Sequence, residues 1–110
     1  MTVDYGDNVL TIDSIVLGAF ETAARRRELR LAPDVKDYLI SQVRTNLDAA
    51  HSRGELESRR AEVEQNTEVL VNYLASSEQQ VTEIRIDHVD SALEWLCSRY
   101  KKFFPFCPRP

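Results

Sequence analysis

The chain has 110 residues, 43% hydrophobic and 29% charged. That is the size of one ordinary domain with a composition able to form a core, which excludes a disordered segment. Its net charge of −4 gives no overall attraction to nucleic acid or to an anionic membrane. Apolar runs such as Ile15-Val16-Leu17 are far too short to span a bilayer.

Residues 1 to 8 read as a polar, loose start, without the basic residues and apolar run of a signal peptide. A first helix is predicted from Asp13, whose carboxylate suits an N-cap. Ile15, Val16, Ala19, Phe20 and Ala23 fall on one face of it. Arg25, Arg26 and Arg27 occupy its last turn, where the helix dipole favours cations. Leu29 and Leu31 then alternate like a strand stub, and Pro33 is placed to open a second helix as its first residue. The stripe Val35, Leu39, Val43, Leu47 and Ala50 makes that helix the clearest in the chain, with Tyr38, Ile40 and Asn46 beside it.

From His51 to Glu68 the chain is almost wholly polar. Gly54 either ends the second helix or sits within a longer rod, so residues 34 to 75 are one helix or two. Glu55 with Arg59 and Arg60 with Glu64 are i,i+4 pairs that support an exposed helix. Leu56, Val63 and Leu70 form a thin seam at heptad spacing. The apolar pattern returns at Val69, Leu70, Tyr73 and Leu74 and carries a helix to about Ala75. A loop follows over 76–80, then a short alternating strand around Ile84 and Ile86. Asp87 is the expected N-cap of a last helix, with Val89, Ala92, Leu93, Leu96, Tyr100 and Phe103 on its core face and its end forced near Phe104 by Pro105.

The stretches LTIDSIV and IRIDHVD repeat one form, a stub, an Ile-Asp step and a helix start. Their stubs could pair with each other or with the Leu29–Leu31 stub. The V-x-x-A-L run from Val89 to Leu93 resembles the strand-to-helix end of histone folds and of AAA+ lid domains. The histone fold places one central helix between its stubs, and the interval from Leu31 to Ile84 is too long for that, so no family is assigned. The expected architecture is all-α: one compact domain of about four helices with at most short strand stubs, and a Pro/aromatic tail at 105–110.

Catalytic motifs are absent: there is no Gly-rich phosphate loop, GxSxG, HExxH or CxxC. If the second helix ran through Gly54, Asp48, His51 and Glu55 would share a face and could ligate a divalent metal, although ion pairing on a solvated face is the simpler account. His88 reads as a helix-start residue. Cys97 and Cys107 read as free thiols of a cytoplasmic protein, Cys97 buried and inert. No catalytic residue, metal or cofactor is assigned, and the chain is not read as an enzyme.

Two surfaces remain. Arg25, Arg26, Arg27 and Arg30, with Lys101 and Lys102, could meet phosphates, although acids outnumber bases and cations at helix ends need no ligand to explain them. The tail FFPFCPRP either folds back over the protein's own core or inserts into another chain. In the second case Phe103, Phe104, Phe106 and Tyr100 would be aromatic anchors and Arg109 a rim charge. The functional expectation is a small interaction module, an adaptor or regulatory subunit. It would present a helical face and the aromatic tail to a protein partner or a second copy of itself, with nucleic-acid binding as the alternative.

Overall fold

A computed structural model describes residues 12–76, 82–100 and 102–107. The expected loose start at 1–8 and most of the 76–80 loop lie outside them. Among the described residues there are four helices and a two-stranded sheet. In chain order these are α1 (Ile12–Arg26), β1 (Arg30–Leu31), α2 (Val35–Ser52), α3 (Arg60–Ala75), β2 (Glu83–Ile84) and α4 (Ile86–Arg99). The all-α bundle with strand stubs is what the chain forms.

The two stubs that pair are the Leu29–Leu31 stub and the one before the last helix. They run parallel, with Arg30 opposite Glu83 and Leu31 opposite Ile84. Parallel pairing requires a long crossover, and α2 and α3 supply it. Two helices, not one, therefore separate the stubs.

Gly54 ends α2. At φ 70° it occupies a left-handed conformation that costs a glycine nothing. Its N–H bonds the His51 carbonyl, and the Glu55 N–H bonds the Ala50 carbonyl, which is the Schellman pattern. The same device ends α1: the Glu28 N–H bonds Arg25 O, and the Leu29 N–H bonds Ala24 O. There the left-handed residue is Glu28, at φ 58°, where a β-carbon crowds the following carbonyl. Glu28→Gly is accordingly expected to stabilise the fold, by about 0.5–1 kcal/mol once the added chain entropy of glycine is offset. Urea denaturation should show a higher midpoint at unchanged slope.

Three helix starts differ from expectation. α1 begins at Ile12, which places Asp13 inside the first turn. α2 begins at Val35 rather than at Pro33. Pro33 instead takes the second position of the turn closed by the Val35 N–H on Ala32 O, where its fixed φ is equally suited. α4 begins at Ile86, and the side chain engaged there is His88, whose Nδ1 accepts the Arg85 backbone N–H at 3.2 Å. Asp87 stays in the first turn, exposed.

The core is drawn from every element. Phe20 of α1, Leu39 and Leu47 of α2, Leu70 of α3, Ile84 of β2, Leu93 and Leu96 of α4 and Phe106 of the tail are its largest fully buried side chains. Leu56, Val63 and Leu70 face this core, so the heptad-spaced seam is intramolecular packing. Thr67 is the buried polar residue among them, and its hydroxyl donates to Val63 O at 2.7 Å. No helix among the described residues is long and apolar enough to cross a membrane.

Candidate interaction surface

The tail lies on the core. α4 stops at Arg99, and Tyr100 is already extended (φ −113°, ψ 110°). Helical spacing therefore does not carry Phe103 inward, as expected from the sequence. A tight turn does: the Phe106 N–H donates to Phe103 O at 2.8 Å, with a cis Phe104–Pro105 bond between. Phe103, Phe104, Phe106 and Cys107 are all buried.

Two asparagines from separate helices hold the turn. Asn46 Nδ2 of α2 donates to Pro105 O at 2.7 Å, and Asn66 Nδ2 of α3 donates to Phe104 O at 2.6 Å. The Arg59 guanidinium lies 3.6 Å from the centre of the Phe104 ring, at cation–π distance. Cys97 and Cys107 are joined in a disulfide that ties α4 to the tail, their Cα atoms 5.7 Å apart. The reading of two free thiols is thus corrected: the turn at Tyr100 brings Cys107 back beside α4. The argument for a cytoplasmic location that rested on free thiols falls with it.

The fold thus takes the first of the tail's two alternatives. Phe103, Phe104 and Phe106 are core residues, not exposed anchors, because the turn and its asparagine partners direct the rings inward. Of the proposed anchors Tyr100 stays open, 46% exposed and stacked at 5.9 Å on Phe103. Arg109 lies outside the described residues.

A different aromatic surface is present. Tyr73 of α3 and Trp95 of α4 stack in the open, ring centres 5.0 Å apart and 21° from parallel. They are 37% and 43% exposed, and Val69, one turn before Tyr73, is 36% exposed. Of the four apolar positions that carry the helix to Ala75, Leu70 and Leu74 face the core and Val69 and Tyr73 face outward. Arg99, one turn after Trp95, places its guanidinium 5.4 Å from the indole. Periodicity alone missed Trp95, the single tryptophan of the chain. Its signal was a large ring at a position off the Leu93–Leu96 stripe. Asn46 and Asn66 also carried a signal: asparagine disfavours helix interiors, so two of them beside apolar stripes imply a tertiary use.

The metal-ligand trio suggested by the sequence does not assemble. Because α2 ends at Gly54, Glu55 leaves the face of Asp48 and His51 and pairs with Arg53 at 3.1 Å. No group of three or more metal-ligating side chains occurs among the described residues. In the first basic cluster Arg26 and Arg27 both pair with Glu68 of α3, at 3.4 and 3.2 Å. Arg25, Arg30 and Lys102 are exposed, and Lys101 lies outside the described residues. The chain matches no protein-family model, no curated protein and no solved structure.

Proposed function

We propose that this protein is a non-enzymatic protein–protein interaction module, an adaptor or regulatory subunit, whose contact surface is the aromatic face of α3 and α4. The observation that carries this reading is the stacked, exposed Tyr73–Trp95 pair. Large rings left in water are unfavourable unless a contact covers them. Tryptophan, tyrosine and arginine are the side chains enriched at binding hot spots, and Trp95, Tyr73 and Arg99 stand together here. The two rings already hold one another, so little side-chain freedom remains to be lost on association. The tail's part is indirect: it is buried in the core and joined to α4 by the Cys97–Cys107 disulfide.

Trp95→Ala is expected to weaken the contact by about 2 kcal/mol or more, roughly 30-fold. The cost to the fold should be about 1 kcal/mol or less, since only a surface stack is lost. Quantitative co-purification of wild type, Trp95→Ala and the neighbouring control Ser98→Ala, with molar mass in solution, checks this. A partner or self-association lost from Trp95→Ala and kept by Ser98→Ala supports the proposal. Identical partner sets and masses for all three proteins would rule it out.

A further inference from the structure

The structure points to a second contact surface, at the free edge of β1. The Arg30 N–H bonds Thr82 O and the Ala32 N–H bonds Ile84 O. Extended backbone alternates, so Leu31 between them turns its N–H and C=O to the opposite edge, where β1 has no strand neighbour among the described residues. Along this stretch runs a groove of about 680 Å³, bounded by Arg25 and Glu28 of the α1 terminus, by Leu29, Arg30 and Leu31, and by Lys36 at the start of α2. Leu29 and Leu31 are half-buried against the core and give it an apolar floor.

Its charges are unevenly matched. Lys36 is paired with Glu21. Arg25 and Arg30 are exposed and have no carboxylate partner among the described residues, and Glu28 is an exposed carboxylate between them in sequence. Glu83, opposite Arg30 on β2, is paired with Arg85 at 3.5 Å, so two guanidiniums against the Glu28 carboxylate favour an acidic occupant. An open strand edge takes an extended one, through main-chain hydrogen bonds. We infer that the β1 edge binds an extended acidic peptide segment by strand addition, its amides on Leu31 and its carboxylates between Arg25 and Arg30. A second copy meeting the same edge across a two-fold axis would set Arg30 opposite either Arg30 or Ala32 of the other copy, and neither register places a carboxylate directly opposite Arg30.

The test is a titration of the ¹⁵N-labelled full chain, followed by amide chemical shifts. The probe is the capped peptide Thr-Glu-Val-Glu-Val-Glu-Thr, with the lysine-for-glutamate counterpart as comparison. Two acidic versions N-methylated on alternate residues block one peptide edge each. Strand addition predicts saturable shifts concentrated at residues 29 to 32, and affinity roughly tenfold or more weaker for the lysine peptide. One N-methylated version should bind and the other should not. Arg25→Glu with Arg30→Glu should reverse the charge preference. Leu31→Pro removes the edge N–H while leaving both ladder bonds, and should abolish the shifts; if that variant does not fold, the N-methylated peptides test the same bond from the other side. Equal binding of acidic and basic peptides, indifference to both N-methylations, or no saturable shift would overturn the inference. Shifts at residues 29 to 32 that grow with protein concentration alone would do so as well, by assigning the edge to a second copy.

Discussion

Phe106→Ala is expected to remove about 3–5 kcal/mol of folding free energy, the range for truncating a fully buried phenylalanine. A domain of this size has about 5–15 kcal/mol in all, so this one change should remove a large fraction of the total stability. The ring is completely buried. It packs against Phe103 at 5.5 Å between centres, and the two carbonyls just before it are bonded by Asn46 and Asn66. Truncation empties a space those fixed neighbours cannot collapse into. Urea denaturation followed by circular dichroism measures the loss. Truncation of the chain after Lys102 should cost at least as much, because it removes Phe103 and Phe104 too. A Phe106→Ala change within about 0.5 kcal/mol of wild type, the range of ordinary surface positions, would show that the ring does not occupy the core.

The second large effect belongs to the disulfide. Cys97 and Cys107 are separated by 10 positions. Closing a loop of that length removes unfolded-state entropy equivalent to roughly 3 kcal/mol. Reduction with dithiothreitol, or the Cys97→Ser, Cys107→Ser double variant, should lower the melting temperature by on the order of 10–20 °C. The reduced protein should remain folded, because three buried phenylalanines still hold the tail: their burial contributes about 1.5–3 kcal/mol each, more together than the cross-link. Native mass spectrometry of untreated protein should show a mass two hydrogen atoms lighter than the dithiol form. Equal melting temperatures with and without reductant would show that the bond adds nothing to stability.

Much of the helical framework could be read from the chain because it depends on local rules. The stripes of α1, α2 and α4 repeat at helical spacing, and burial follows them except at Ala19, half-buried, and at Tyr100, which lies beyond the end of α4 and is exposed. The partner of the Leu29–Leu31 stub was among the pairings expected. The ends were less legible. Whether Gly54 lay inside a helix or beyond one turned on a backbone angle that the residue permits but does not impose. Pro33 and Asp87 each stand near a helix start without filling the expected role there, since several nearby residues can satisfy the same orphan N–H groups.

The site was the least legible part. A phenylalanine gains the same transfer free energy in its own core as in a partner's. Nothing in the string FFPFCPRP distinguishes the two. What separates them is the distant pair Asn46 and Asn66, on helices that precede the tail by many residues, and the proximity of Cys97 to Cys107. Likewise Trp95 shows itself as a surface residue only when α3 brings Tyr73 against it. Amphipathic spacing and chain breakers established from residues alone that this is a helical bundle, because they act over a turn or two of backbone. Which aromatic rings are covered, which cysteines meet and which strand stubs pair are properties of contacts between segments far apart in sequence. Those depend on how helices pack, so they appear only when the chain is folded.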